Sequence, residues 1–375
     1  MHHPLDEMGD FFCELKGTVG QKKILVAPLD WGLGHATRCI PIINELLHSG
    51  FEVIIASEGA ISVLLKEEFP NLTFLHLRGY KISYAKTKTA LIVKMFLQIP
   101  KILHSISHEH QWLKEVIVQH EIDAVISDNR YGLYHSRIYS IFITHQLRIQ
   151  TPFFGNLMQY LNYRFINHFC QCWIPDVERA PGAAGLLSHP YSRPTTPLKY
   201  IGLLSRLKPL ILEEEIQLLV ILSGPEPQRT LFEKKILTAL NQKPLTAFIV
   251  RGLPSHPQSQ TNQANVTLVN HLPSAELEKL IARSRYILAR SGYSTIMDLV
   301  RMRKKLILVA TPGQTEQEYL AKHLMQNRYA LCIPQQQFHL ESALRLADKF
   351  VYQSFEDHSA TSLQQAVQEL SVVLG

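Results

Sequence analysis

Short apolar runs rich in β-branched residues recur along the first half of the chain, separated by helical patterns. Five of them are predicted strands, at residues 24–28, 51–56, 72–77, 123–127 and 140–144. None alternates strictly between apolar and polar residues, which is typical of strands covered by helices on both faces. The alternation of strands with helices therefore predicts βαβ units around a parallel sheet.

A second series of the same kind follows an acid-rich stretch that ends at Glu215 and is typical of an inter-domain connection. Its predicted strands cover residues 217–222, 247–250, 266–269, 286–289, 306–309 and 330–333. The pattern predicts an α/β protein with two Rossmann-like, doubly wound domains facing across a cleft. We place the first domain at 21–203 and the second at 204–354, after a flexible tail at 1–20. A helix within 355–375 is expected to pack back on the first domain.

Composition narrows the class of protein. Of 375 residues, 46% are hydrophobic and 19% are charged, which is typical of a folded globular protein and not of a disordered chain. The length is sufficient for two domains, each with its own hydrophobic core. The net charge of +6 favours anionic partners but is too small to indicate nucleic acid. Five scattered cysteines without a CxxC pair indicate neither a disulfide framework nor a zinc site, and favour a cytoplasmic location. We expect no secretory signal and no membrane-spanning segment.

The loop after the first strand carries two glycines and a histidine. Gly32 and Gly34 allow close approach of a ligand to the backbone, and the helix that begins there offers free amides. A dinucleotide site of the usual kind is excluded because no third glycine follows at the required spacing. The loop is predicted to turn His35 towards a ligand, with a plain tight turn as the alternative.

Three blocks of the second half place small, hydroxyl, amide or charged residues directly after a strand. The candidates are Ser223, Gly224 and Arg229 in the first block, Arg290, Ser291, Gly292, Ser294, Thr295 and Asp298 in the second, and Gln314, Gln317 and Glu318 in the third. The first two blocks suit phosphate groups, the Asp298 carboxylate suits a ribose diol, and the third block suits sugar hydroxyls. The structural alternatives are a Pro-rich turn for the first block and a capping box between Thr315 and Glu318.

Polar residues also follow two strands of the first half. Asp128, Asn129 and Arg130 follow the fourth strand and His145 the fifth, and ligands gather at the carboxyl ends of strands in open α/β sheets. We predict a catalytic role for Asp128 and contacts with a second substrate for the others, with a simple turn at 128–129 as the alternative. Close histidines on one predicted helix raise the question of a metal, but no further element supplies a ligand. They are His104, His108 and His110.

A lysine-rich apolar segment suggests a surface role. Its lysines are Lys86, Lys88, Lys94 and Lys101, and no acid occurs between residues 85 and 108. Basic residues around an apolar patch are what contact with an anionic membrane requires. The alternative is a core-facing helix with solvated lysines.

Three blocks together carry a family resemblance. The GLGH turn, the ARSGYSTIMDL helix start and the TPGQTEQEYLAKHL block resemble the GT-B glycosyltransferases of the MurG and UDP-glycosyltransferase type, over residues 22–324. The resemblance implies inverting transfer from a UDP-sugar, held by the second domain, to a lipid or saccharide acceptor held by the first. It implies no cofactor and no metal. Asp298 matches the ribose-binding acid, Gln317 and Glu318 the sugar-contacting pair, and His35 the histidine of the glycine loop.

A second resemblance lies in the same loop. The run GLGHATRC, from Gly32 to Cys39, is similar to the GxGHxxRC run of PseG-type UDP-sugar hydrolases, in which the histidine is catalytic. That likeness implies transfer of the sugar to water instead of an acceptor. Departures from the MurG pattern at Trp31, Leu33 and the SGPEPQRT turn keep the hydrolase, and a non-catalytic nucleotide-sugar sensor, open as alternatives.

Overall fold

The computed structural model describes residues 21–80, 88–151, 155–241, 245–254, 256, 264–356 and 361–375, and of residues 88–97 only the backbone. Within these ranges the chain forms two parallel sheets flanked by helices. The predicted α/β class with two doubly wound domains is confirmed.

The first sheet has seven strands. They are β1 (Lys23–Pro28), β2 (Glu52–Ser57), β3 (Thr73–His76), β4 (Ala124–Asp128), β5 (Tyr139–Ile143), β6 (Gln171–Ile174) and β7 (Leu198–Tyr200), and they lie in the order β3-β2-β1-β4-β5-β6-β7. The helices of this half are α1 (Leu33–His48), α2 (Gly59–Glu68), α3 (Lys88–His120) and α4 (Gly155–Ile166).

The second sheet has six strands. They are β8 (Ile216–Ile221), β9 (Ala247–Val250), β10 (Val266–Val269), β11 (Ser284–Ala289), β12 (Lys305–Leu308) and β13 (Leu331–Cys332), in the order β10-β9-β8-β11-β12-β13. The helices of this half are α5 (Gln228–Leu240), α6 (Ser274–Ala282), α7 (Tyr293–Leu299), α8 (Thr315–Gln326), α9 (Leu340–Lys349) and α10 (Ser362–Leu374).

Both sheets reverse their strand order once. The chain runs outward from β1 through β2 and β3, then returns to β4 on the other side of β1, and β8 and β11 stand in the same relation. In register, Pro28 pairs with Asp128 and Ile221 pairs with Ala289, so the loops that follow these strands start side by side. Ligands of doubly wound sheets bind in the crevice at such a reversal.

The hydrophobic pattern accounts for most of the sheet. All five predicted strands of the first half form within one or two residues of their predicted bounds. Most of their apolar side chains are buried in the core, while Phe74 and Leu75 of β3 are partly buried. Strands β6 and β7 were not predicted, because they are short and include the polar residues Gln171 and Lys199. Trp173 of β6 is nevertheless fully buried.

The last helix crosses back to the first domain. Ala366, Val367 and Leu370 of α10 are buried, and the helix packs against α1. The ammonium group of Lys199 on β7 lies 2.6 Å from Glu369 Oε1. The chain therefore passes between the domains twice, once after β7 and once before α10.

The tail at 1–20, Lys86 and the side chains of Lys88 and Lys94 lie outside the described residues. Of the lysine-rich segment, Lys101 is described, and it is exposed on α3 near the exposed side chains of Ile99 and Leu103. In the described part of the chain, no helix has both the length and the apolar character needed to cross a membrane.

Candidate active site

The loop between β1 and α1 brings His35 to the end of β4. Gly32 precedes the helix with φ of 106°, a left-handed conformation that favours glycine. His35 is the third residue of α1, and its Nδ1 lies 2.9 Å from Oδ2 of Asp128, the last residue of β4. The two predicted catalytic residues thus form a hydrogen-bonded pair at the strand reversal of the first sheet.

Arg38 follows His35 by one helical turn and binds the same carboxylate. Its Nε donates to Asp128 Oδ2 at 2.9 Å, and its Nη2 donates to Oδ1. Residues three apart on a helix lie on one face, which explains why both side chains reach Asp128. Asp128 is fully buried, and the paired fork of a guanidinium is the geometry that best stabilises a buried carboxylate.

The charges of this cluster set its protonation states. Burial raises the pKa of Asp128, but Arg38 and His35 outweigh burial, so the pKa lies below its ordinary value and the carboxylate is ionised. Burial and the nearby Arg38 lower the pKa of His35, against the opposing influence of Asp128. The imidazole is therefore neutral at pH 7, as a general base must be.

A chain of contacts continues from Arg38 into the second domain. Arg38 Nη1 lies 3.2 Å from His145 Nδ1, and His145 Nε2 lies 2.7 Å from Glu316 Oε1 in the first turn of α8. Since a guanidinium can only donate, His145 accepts on Nδ1 and donates from Nε2 to Glu316. The His145 ring also stacks on Tyr293 of α7, with ring centres 4.2 Å apart.

The two domains are in direct contact beside His35. Ser294 Oγ on α7 donates to the carbonyl oxygen of Gly34 at 2.9 Å. A Cβ atom at position 34 would lie 2.5 Å from that hydroxyl and 3.0 Å from the Ser294 Cβ. Gly34 is therefore required by the contact between domains, and its ordinary φ shows that backbone strain is not the reason.

Comparisons with known proteins agree with this architecture. Residues 232–371 match the sequence profile of the glycosyltransferase family 28 C-terminal domain. The fold matches that of Acinetobacter baumannii MurG, with a TM-score of 0.53 and 16% identity over 95% of this chain and 99% of the other. The chain has the GT-B fold, and most of its second domain matches a glycosyltransferase domain.

Two further solved structures share the fold. The glycosyltransferase SnogD from Streptomyces nogalater aligns with a TM-score of 0.56 and 12% identity, over 95% of this chain and all of the other. The calicheamicin glycosyltransferase CalG4 aligns with a TM-score of 0.59 and 11% identity, over 95% and 94%. A search of curated protein sequences found no match.

Several predicted donor residues lie together at the carboxyl ends of β11 and β12. Ser291 Oγ donates to the carbonyl oxygen of Gln317, and a Cβ at Gly292 would lie 3.9 Å from the Gln317 amide nitrogen. The Gln317 amide accepts from the Thr311 backbone nitrogen at 2.9 Å and donates to Gln314. Loops from two neighbouring strands therefore share one polar surface.

The loop after β8 borders the same surface. Gly224 has φ of 101°, and a Cβ there would lie 3.8 Å from Thr311 Oγ1. That hydroxyl is buried and has no hydrogen-bond partner among the described residues. Ser223 and Thr295 are half-buried, and Glu318 is exposed with its Oε1 accepting from Gly313 N, so their predicted donor contacts remain predictions. The cap of α8 is Gln314, so the predicted capping box at Thr315 is not formed.

Two more of the predicted donor residues, Ser294 and Asp298, form hydrogen bonds with protein groups. Ser294 contacts Gly34 of the first domain as described above. Asp298 accepts hydrogen bonds from Ser205 Oγ at 3.1 Å and from the Arg206 backbone nitrogen at 3.2 Å. Its carboxylate thus holds the connection between the domains, and its predicted contact with ribose remains untested.

Two arginines predicted as donor-binding residues form ion pairs or hydrogen bonds with protein groups. Arg229 is buried and forms ion pairs with Glu226 and Glu233 of its own helix region. Arg290 is fully buried, donates to the carbonyl oxygens of Val309 and Gln228, and has its pKa lowered by burial to about 10. Both guanidinium groups thus bind protein acceptors in the loops, and their predicted contact with the donor stays a prediction.

Arg130, predicted as an acceptor contact, also binds protein groups in the structure. It is fully buried and lies 2.9 Å from Glu109 Oε1 on α3, and it donates to the carbonyl oxygen of Pro28. Glu109 accepts further hydrogen bonds from Tyr80 Oη and from Gly132 N. Arg130 therefore anchors α3 to the strand ends.

Arg38 and Glu316 complete the site, although sequence reasoning assigned them no role. The three-residue spacing from His35 could have indicated Arg38. Glu316 could not be identified from the sequence, because its partner His145 lies in the other domain. Among the described residues, no group of three or more His, Cys, Asp or Glu side chains is placed to hold a metal ion.

Proposed function

We propose that the enzyme transfers a sugar, with inversion at the anomeric carbon, from a UDP-sugar to a lipid or saccharide acceptor. The observation that carries this proposal is the neutral His35, paired with the ionised Asp128 where the two domains meet. The family profile and the shared fold support glycosyl transfer in general. The nucleotide, the stereochemistry and the type of acceptor are our proposal.

In the proposed step His35 is the general base. An acceptor hydroxyl gives its proton to His35 Nε2 while its oxygen forms a bond to the anomeric carbon of the donor. The bond from that carbon to the β-phosphate oxygen breaks, and UDP leaves with the electron pair. Asp128 orients the ring through Nδ1 and stabilises the imidazolium that forms.

The donor is assigned to the surface formed by the loops after β8, β11 and β12. Gly224 and Gly292 have no side chain that would cover the backbone, and Gln314 and Gln317 supply amide groups that suit hydroxyls. The buried hydroxyl of Thr311 gives this surface an unused donor and acceptor. These loops flank the strand reversal of the second sheet, where doubly wound domains bind nucleotides.

Hydrolysis of a UDP-sugar is the second candidate. The run GLGHATRC contributes not only His35 but also Arg38 and Cys39 to the cluster around Asp128, with Cys39 Sγ 3.9 Å from its carboxylate. This arrangement serves a water molecule as well as an acceptor hydroxyl, because the same imidazole would take the proton.

A nucleotide-sugar panel distinguishes the candidates. UDP release is measured for each UDP-sugar in water alone, with saccharide acceptors and with a lipid extract, with and without EDTA. Release only with an acceptor supports transfer, and full release in water supports hydrolysis. Binding without release in any mixture would contradict both, and would favour a sensor. Retention of full activity in EDTA is expected, since we propose that no metal is required.

The first prediction concerns His35 itself. His35→Gln should lower turnover by about 100-fold or more, the scale for loss of a general base, while UDP affinity in calorimetry stays unchanged. His48→Gln, on the exposed end of the same helix, is the matched control and should leave both quantities unchanged. Loss of UDP affinity with turnover retained at saturation would make His35 a donor ligand instead.

A further inference from the structure

His35 Nδ1 lies between two groups of opposite hydrogen-bonding character. Asp128 Oδ2, 2.9 Å away, can only accept, and Arg38 Nη2, 2.8 Å away, can only donate. A neutral imidazole nitrogen either donates or accepts. If Nδ1 donates to Asp128, Nε2 carries the lone pair that a general base needs. If Nδ1 accepts from Arg38, Nε2 carries the hydrogen and has no lone pair with which to take a proton.

The hydrogens of Arg38 decide between these two tautomers. Its Nε hydrogen goes to Asp128 Oδ2, Nη1 donates to His145 Nδ1, and one Nη2 hydrogen goes to Asp128 Oδ1. One hydrogen on Nη2 remains. It has two possible acceptors within 2.8 Å, His35 Nδ1 and the side-chain oxygen of Asn129.

The amide of Asn129 has one orientation that satisfies all its neighbours. In it, the nitrogen donates to the Ile143 carbonyl oxygen at 3.3 Å and to Thr144 Oγ1 at 3.0 Å, while the oxygen accepts from Arg38 Nη2 at 2.8 Å. The opposite orientation turns the oxygen towards those acceptors and the nitrogen towards the guanidinium. The end of β5 thereby fixes an acceptor beside Arg38.

We infer that Asn129 is a positioning residue that sets the tautomer of His35. By accepting the last Nη2 hydrogen of Arg38, it leaves Nδ1 of His35 to donate to Asp128 and keeps the lone pair on Nε2. This reassigns Asn129, predicted above as an acceptor-binding residue. The catalytic consequence rests on the proposed function, whereas the tautomer itself does not.

Two variants isolate the effect. Asn129 has φ of 56°, a left-handed conformation that glycine adopts freely, so Asn129→Gly removes the side chain without straining the backbone. Asn129→Asp retains an oxygen acceptor for Arg38. We expect the glycine variant to move the Arg38 hydrogen to His35 Nδ1, and the aspartate variant to leave the tautomer as it is.

The test is imidazole ¹⁵N NMR of the full chain with labelled histidine, with His35 assigned through His35→Gln. The expected wild-type signature at pH 7.5 is a protonated Nδ1 and an unprotonated Nε2. In Asn129→Gly we expect an unprotonated Nδ1 and a protonated Nε2. In Asn129→Asp we expect the wild-type signature. A protonated Nε2 in the wild type, or an unchanged His35 in folded Asn129→Gly, would overturn the inference, as would loss of the signature in folded Asn129→Asp.

Turnover adds a second readout once the substrate pair is known. Asn129→Gly should lower kcat by at least about 10-fold, because a catalytic histidine in the wrong tautomer is a poor base, with UDP affinity unchanged. A wild-type protein that releases no UDP would contradict the proposed function, and the NMR signature would still decide the role of Asn129.

Discussion

His35 and Asp128 show how a residue acquires its chemistry from its neighbours. An isolated imidazole is half protonated near pH 6.5, and an adjacent carboxylate alone would raise its pKa further. Here Arg38 neutralises Asp128 and, with burial, lowers the pKa of His35. The His35 imidazole therefore stays unprotonated although it is hydrogen-bonded to the Asp128 carboxylate.

This arrangement predicts the pH dependence of the enzyme. The active form is the neutral imidazole, which is lost when the pH falls through the pKa of His35, and that pKa lies below 6.5. The groups that face it are Asp128 from β4, Arg38 from α1 and His145 from the loop after β5. We expect the acid limb of a kcat/KM profile to have an apparent pKa below 6.5. A limb at or above 6.5 would show that Asp128 dominates the electrostatics of His35.

At the scale of elements, three consecutive residues at the end of β4 take three different roles. Asp128 pairs with His35, Asn129 contacts Arg38 and the end of β5, and Arg130 turns inward to Glu109 on α3. The sequence located all three at a strand end, where ligands gather, but could not separate them. The reason is that the partner Glu109 is 21 residues away on a helix whose orientation the local pattern does not define.

Arg130→Met is expected to act on stability instead of substrate binding. Breaking a buried ion pair costs about 3–5 kcal/mol, and burial already raises the pKa of Glu109 to about 7, so proton uptake by the unpaired carboxyl places the loss near the lower end of that range. Denaturant unfolding measures it, with the exposed Arg137→Met as the control. Unchanged stability with weakened acceptor binding would instead support the contact with the acceptor that the sequence predicts for Arg130.

At the scale of the whole molecule, the sequence predicted the architecture better than the site. Hydrophobic runs define strands locally, and two series of βα units imply two doubly wound sheets. The network that joins Arg38 and His145 to Glu316, and Gly34 to Ser294, spans the two domains. Such contacts depend on how the domains face each other, and no local pattern encodes that. The short strands β6 and β7 were missed for a related reason. They form by pairing with neighbouring strands, β6 with β5 and β7 with β6, and their own sequences carry no strand pattern.

The return of α10 to the first domain predicts a long-range effect on stability. Val367 is fully buried in α10, and the helix packs on α1, which carries His35 and Arg38. Val367→Asp buries an unpaired carboxylate and should lower the unfolding free energy by roughly 3 kcal/mol. Val372→Asp, on an exposed position of the same helix, is the control. Equal stability of the two variants would mean that α10 contributes nothing to the first domain.

The two connections between the domains, after β7 and before α10, limit how the domains can move relative to each other. One crossing is held to the second domain by Asp298, which binds Ser205 and Arg206, and the other follows Phe355, whose ring packs on Tyr329. Two covalent connections restrict the relative movement of the two domains more than a single connection does. The contacts of Glu316 with His145 and of Ser294 with Gly34 join the same two domains, so a change in the angle between the domains would alter both contacts together.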